Sequence, residues 1–489
     1  LLKAKTLNPG WFGHPGSTTI YLIALCTMLV YAVGWLAGVW ATSHEFLTAI
    51  YANPALIMVP QRMMIAIPGL ITVWLVYRIG RDTHSARVGL IAAAILALSP
   101  LHIELSQLIR TDVQMAMFVM ASVYCALPLR EGIRFRPLVS SAIFAGLACA
   151  TKWPGIIILL VPLSLTLNKA NGLRQKLGYA AIGLLVAIAA LVVSSPYILI
   201  DYQTVLGDVL IEGRPRHLSQ TSLGKLETLG TYLFVVIPAA LGWPAAIFSA
   251  AGLALALGRG RRSRLGIVLV LPALAFLALI SLQSIMWPRW AVPVLPFLCL
   301  FAAIAANELL VRLTSTRRHR ASIAIALALT LYAPLAIAAR DGARERSNET
   351  RDQALRWIAR NVPAGASLAV ETPAIALLHG PWELRYPLGD LGCVDPRRAM
   401  AGGVDYDDVA RATGDRININ LATIAPTKVD SCKADFIMVN ELDRYSAEAH
   451  YYPAELAVYR ALLANTHEVA QFAPRSGEVG GSTVRIYAR

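Results

Sequence analysis

Apolar residues fill whole segments of the first 340 positions, at about 61–77, 88–103, 112–129, 137–151, 153–168, 177–196, 229–257, 265–287, 290–311 and 321–338, with a further run at 18–40. Roughly 20 consecutive apolar residues cross a bilayer, and fewer suffice where a helix is broken or sheltered by neighbours. About ten to eleven membrane helices follow from this pattern. The polar turns between them alternate in kind. One set is basic: Arg78, Arg81 and Arg87; Arg130, Arg134 and Arg136; Lys169, Arg174 and Lys176; Arg259, Arg261, Arg262 and Arg264; Arg312, Arg317, Arg318 and Arg320. Basic loops stay in the cytoplasm, so the other set faces outward: SPLHIELSQLIRTD, ATKWPG, SSPYILIDYQ through residue 228, and SIMWPRW.

That orientation leaves two readings of residues 18–40. They span from a cytoplasmic start marked by Lys3 and Lys5, or they lie along the outer surface within a large external loop. After residue 340 the pattern changes. ETRDQALRWIARNVPAGASLAVE reads as an amphipathic helix with Ala354, Leu355 and Ile358 on one face, a turn and a strand. ADFIMVNE and STVRIYAR read as further strands, and YYPAELAVYRALLAN as a helix. The predicted architecture is a polytopic α-helical membrane protein: an external loop at 1–60, a transmembrane bundle at 61–340 and an extracytoplasmic α/β domain at 341–489.

Composition agrees: 56% of residues are hydrophobic, 15% are charged, and the mean hydropathy is +0.56. The net charge of +14 sits in the basic turns, so topology explains it and nucleic acid is not a partner. Of the six cysteines, Cys393 and Cys432 lie in the polar C-terminal region, where they either pair, if that region is extracytoplasmic, or stay free. No Cys/His metal spacing stands out.

Candidate chemistry lies in the outward turns. Arg62, His102, Glu104, Arg110, Asp112, Lys152, Asp201 and Arg289 all fall at or near external helix ends. A charge there costs little, whereas mid-bilayer it would cost about 2.5–3.5 kcal/mol on insertion scales. Arg62, Arg110, Lys152 and Arg289 suit a phosphate-bearing lipid, whose charge sits at that depth; each alone also fits a side chain snorkelling to the interface. Asp112 reads either as a helix N-cap or as a carboxylate that orients an acceptor hydroxyl or holds a divalent cation. His102 and Glu104 share its turn. In ATKWPG, Pro154 and Gly155 force a tight hairpin that fixes Lys152 at its tip. IEGRPRHLSQ adds Arg214, Arg216 and His217, which bind an anion or form a solvated basic loop.

Taken in order, NPGWFGHPGSTTIYLIAL, QRMMIAIPGLITVWLVYRIGRD, SPLHIELSQLIRTDVQMAMFVMASVY, ATKWPG, SSPYILIDY and RWAVPVLPFL resemble bacterial glycosyltransferase family 39, the protein mannosyltransferase-like branch of the GT-C superfamily. The resemblance spans nearly the whole chain, and DQALRWIARNVPAGASLAVE and the closing IYAR extend it into the C-terminal domain. It implies a bacterial inner-membrane enzyme that moves a sugar, with inversion, from a polyprenyl-phosphate donor to a hydroxyl of a protein, lipid or polysaccharide. Arg62, Arg110, Lys152 and Arg289 would hold the donor phosphate. His14, His102, Glu104, Arg214, Arg216 and His217 would line the cleft, and Asp112 would match the family's second acidic residue. The resemblance also places His14 outside and so favours the interfacial reading of 18–40. The family's acid pair, with its general base, has no counterpart here, since no Asp or Glu precedes Glu45. A chain opening on Leu1 is expected to start inside a longer protein, with that pair upstream. Two rivals are a transporter or flippase, against which the one-sided polar residues argue, and an inactive GT-C-like partner subunit.

Overall fold

A computed structural model of the chain describes residues 6–212, 224–263, 266–283, 285–313, 317–372, 374–401 and 419–489, together with Leu218 and Thr413. The chain divides into two units, Leu1–Ala339 and Arg340–Arg489.

Among its described residues the first unit forms only helices and turns. Its elements run α1 (Ser17–Leu36), α2 (Ser43–Ala52), α3 (Ala55–Thr83), α4 (Ala86–Leu98), α5 (Pro100–Ser106), α6 (Asp112–Ala126), α7 (Phe135–Thr151), α8 (Leu160–Leu167), α9 (Gly172–Ser194), α10 (Tyr197–Ile200), α11 (Tyr202–Glu212), α12 (Lys225–Thr231), α13 (Ile237–Ser263), α14 (Leu271–Ser281), α15 (Leu295–Leu313) and α16 (Arg317–Ser347). Each predicted apolar segment is helical, and the long, bent and shorter apolar helices together agree with ten to eleven membrane segments. Among the described residues seven helices are long and apolar enough to cross a membrane, α1 included, and α4 with α5 form an eighth bent by 65°. The remaining three segments, around α7, α8 and α14, are shorter. Proline accounts for two of them. Pro154 opens the 3-10 turn Trp153–Leu159 ahead of α8, and Pro272 stands in the first turn of α14. The bend between α4 and α5 is also at a proline, Pro100, with the buried Ser99 hydroxyl donating to the Ala240 carbonyl at 2.8 Å.

The bundle core is drawn chiefly from α4, α6, α7, α13 and α15, with Ile95, Leu96, Val119, Met120, Phe297 and Phe301 fully buried. Outward faces remain apolar, as at Leu70, Leu185, Val193 and Leu329, which suits helices facing hydrocarbon. A smaller cluster of Leu105, Val113, Ala116 and Val292 ties α5 and α6 to the segment that leads into α15.

The second unit is an α/β fold. Strands β1 (Ser367–Val370), β2 (Glu383–Pro387), β3 (Cys393–Val394), β4 (Phe436–Val439), β5 (His467–Phe472) and β6 (Val484–Ala488) form one sheet in the order β3-β2-β1-β4-β6-β5. β1 pairs parallel with both β2 and β4, and the outer pairings are antiparallel. Helix α17 (Thr350–Asn361) buries Ala354 and Ile358 and packs Leu355 on the same core, the face that its periodicity predicts. Cys393 and Cys432 are disulfide-bonded, which decides between the two readings of that pair.

Candidate active site

Three chain breaks at the end of the bundle opposite its basic loops bring the chemistry together. The first ends α7. Proline at 154 cannot continue an α-helix, and Lys152 adopts an extended conformation (φ −161°, ψ 131°) as the chain turns back. Gly155 makes the return possible, because a Cβ there would stand 2.4 Å from the Ala148 carbonyl. The second break precedes α6. Asp112 occupies the first turn of that helix, but Thr111 holds the N-cap position and makes no side-chain cap bond. Asp112 is therefore not the cap. Its Oδ1 instead accepts from Lys152 Nζ at 2.6 Å, with the two side chains 3% and 11% exposed. A lysine so buried and so bonded is not snorkelling to the interface.

The third break is the 3-10 turn Pro288–Ala291, held near α6 by the contact of Val292 with the Leu105–Val113–Ala116 cluster. It carries Arg289, whose guanidinium stacks on Trp287 with 4.0 Å from Cζ to the ring centroid, and Trp290, whose ring lies 6.0 Å from Lys152 Nζ.

Residues 6–16 cross this cluster and are bonded to it at many points. Asn8 Nδ2 donates to Asp201 at 2.8 Å, and the Phe12 N–H donates to Asp208 at 2.6 Å. Trp153 Nε1 donates to the Phe12 carbonyl at 3.2 Å, and the Gly16 N–H donates to Thr151 at 3.3 Å. Thr18 and Thr19 continue the line to Thr151 and Gln114 at 2.7 Å each. Gly16 sits at φ 63°, a left-handed conformation that turns the chain into α1. These bonds place His14 within electrostatic reach of Lys152, Asp112, Arg289 and Arg110, edge-on to the Trp11 ring at 4.5 Å. Burial, reinforced by the Lys152 charge, lowers the His14 pKa to about 4, and the Arg289 and Arg110 charges add to this against the opposing pull of Asp112. His14 is neutral at physiological pH.

His14, Arg110, Asp112, Lys152 and Arg289 are thus brought into one neighbourhood. Arg62 stands exposed on α3, and no hydrogen bond or ion pair joins it to a described residue. His102 is buried under α3, its Nε2 3.3 Å from the Gly69 carbonyl, and Glu104 is exposed. Arg214, Arg216 and His217 lie outside the described residues. Sequence reasoning did not single out Asp208, Trp11 or Trp153. The one signal for Asp208 was a carboxylate on a short helix otherwise rich in apolar residues.

The arrangement is a buried ammonium–carboxylate pair, two nearby guanidinium groups, a neutral imidazole and aromatic walls. No group of three or more His, Cys, Asp or Glu side chains lies together among the described residues, and Asp112 is already bonded to an ammonium. That donor set does not fit a divalent cation, and no step is routed through one.

Residues 44–200 match the model of a family described as dolichyl-phosphate-mannose-protein mannosyltransferase. No curated protein sequence matches the chain. Among solved structures, ArnT from Cupriavidus metallidurans in the apo state is 16% identical, with 91% of this chain and 86% of that one covered and a TM-score of 0.52. The same protein bound to undecaprenyl phosphate is 14% identical, covering 97% and 93%, with a TM-score of 0.50. The chain has the GT-C fold. The predicted resemblance therefore recurs in two ways, in a family model over residues 44–200 and in a bundle followed by a small sheet domain. At such identities the structural likeness speaks for the fold. Which residues act must come from the site itself.

Proposed function

We propose that this GT-C chain transfers a sugar from a polyprenyl-phosphate donor to an acceptor hydroxyl on a protein, lipid or polysaccharide, with inversion. The observation that carries the reading is the buried Lys152–Asp112 pair with Arg289, Arg110 and His14 gathered around it. The acceptor oxygen attacks the anomeric carbon as the bond from that carbon to the phosphate oxygen breaks, and the lipid phosphate leaves with the electron pair. Charge growing on the phosphate is stabilised by cations already in place, which need no reorganisation. Lys152, Arg289 and Arg110 fill that role. Asp112 aims the ammonium, and the acceptor proton passes to a base outside this pair.

The reaction is set on the extracytoplasmic face of a bacterial plasma membrane. Two observations support this: the site lies at the helix ends opposite the basic loops, and the C-terminal unit carries a disulfide suited to an oxidising compartment. ArnT, of the same fold, has been seen with undecaprenyl phosphate.

The test uses the full chain in vesicles containing undecaprenyl-phosphate mannose, following release of the sugar from the lipid. The wild type consumes the donor. Lys152→Ala slows consumption by about 10²–10³-fold, the range for removing one preorganised electrostatic group. A folded Lys152→Ala variant with wild-type turnover would overturn the assignment.

A further inference from the structure

Two side chains of the cluster, the exposed Arg110 and the half-buried His14, have no hydrogen-bond or ion-pair partner among the described residues, and His14 is the one that the fold encloses. Asp112 and Lys152 satisfy each other, while the His14 ring makes no hydrogen bond or ion pair with any described residue and packs edge-on with Trp11. Yet its backbone is held on both sides. Phe12 is bonded to Asp208 and Trp153, Gly16 to Thr151, and both Phe12 and Pro15 are buried. A side chain so fixed and unpaired, only partly buried and with neither ring nitrogen sealed from its surroundings, can meet a group that arrives from outside.

The character of that group follows from the surroundings. The charged residues facing the ring are Lys152, Arg289 and Arg110 on the cationic side and Asp112 on the anionic side. Three cations already supply what a phosphate requires, and they oppose a fourth positive charge. An imidazole held neutral both donates and accepts a hydrogen bond, from opposite sides of the ring. A sugar hydroxyl does the same.

We propose that His14 recognises the carbohydrate itself: it bonds a hydroxyl of the transferred sugar and so sets the pose of the anomeric carbon, while the neighbouring cations take the phosphate. This rests on the glycosyl-transfer reading and adds a division of labour within the site. The neutral ring also implies that His14 contributes no limb to the activity profile between pH 5 and 8.

The experiment separates the two contacts. The full-length wild type, His14→Ala and His14→Asn are placed in nanodiscs, and two quantities are measured: affinity for undecaprenyl phosphate, which has no sugar, and kcat/KM for undecaprenyl-phosphate mannose. For His14→Ala the expected result is a loss of about 10- to 100-fold in kcat/KM with the sugar-free lipid bound within about twofold of wild type. His14→Asn, which can still donate and accept, recovers part of the loss. If His14→Ala weakens sugar-free lipid binding as much as it weakens turnover, His14 is a phosphate ligand and the proposal fails. If kcat/KM is unchanged, His14 is packing and the proposal fails equally. A wild type that neither binds the lipid phosphate nor consumes the donor would instead bring down the glycosyl-transfer reading, and this inference with it.

Discussion

Replacing Lys152 with Met would leave the Asp112 carboxylate, 3% exposed, facing an apolar side chain. At 2.6 Å and an effective dielectric constant of about 20, the attraction between the two charges is on the order of 6 kcal/mol. Desolvation of both ions offsets part of it, so the pair is not worth that much against a well-packed apolar substitute. Removing one partner is different, because the cost of burying the other remains. Lys152→Met should therefore destabilise the first unit by about 3–5 kcal/mol, against about 0–1 kcal/mol for a surface pair. The double variant Lys152→Met/Asp112→Asn removes both charges and should recover most of the loss. Unfolding of the four proteins in detergent, titrated with SDS, gives the coupling energy directly. We expect it to exceed about 2 kcal/mol, within the range for groups in contact. Additive effects, each below about 1 kcal/mol, would show that the two side chains are separately solvated and would refute a buried pair at the centre of the site.

The C-terminal unit offers two further tests. Glu371 follows β1 and is fully buried; it accepts from the Asn440 and Glu441 N–H groups at 2.5 and 2.7 Å and from the Tyr459 hydroxyl. Burial outweighs those three donors and raises its pKa from 4.5 to about 7. The folded state then holds an extra proton between these values. Glu371's contribution to stability is present in full below pH 4.5 and declines by about 3 kcal/mol as pH rises to 7. Thermal melts of wild type and Glu371→Gln across that window should show the slope in the first protein and a flatter line in the second; equal slopes would contradict it. Cys393 and Cys432 close a loop with a sequence separation of 39 residues. Replacing both with Ser should cost the unit about 4 kcal/mol by the loop-entropy relation, read as an earlier melting transition, and an unchanged transition would count against it.

What the sequence disclosed depended on whether the signal was local. The α17 face was legible because a soluble amphipathic helix alternates its exposure, so Ala354, Leu355 and Ile358 announce the core. In the bundle the helices were legible by run length, but their buried faces were not, since a helix apolar all round shows the same residues to lipid and to neighbours. Helix breaks were hidden for a related reason: hydropathy runs continue across Pro154 and Pro272, where the backbone does not continue as one α-helix. Lys152 was legible as the tip of a hairpin because Pro154 and Gly155 mark the turn. Its bond to Asp112, 40 residues away, and the bond of Phe12 to Asp208, 196 residues away, arise only when distant helices pack. His102 illustrates the converse. It shares the Asp112 turn in sequence, yet it turns inward to Gly69.

We propose that the Lys152, Arg289 and Arg110 cluster receives the phosphate of an isoprenoid lipid. It is tested most directly by titrating the purified full-length chain in nanodiscs with undecaprenyl phosphate, alongside Lys152→Met and Arg289→Met. Saturable binding by the wild type is expected, weakened at least about tenfold in each variant, as befits the loss of a charge-assisted hydrogen bond. Equal affinity in all three proteins, or no saturable binding by the wild type, would contradict it.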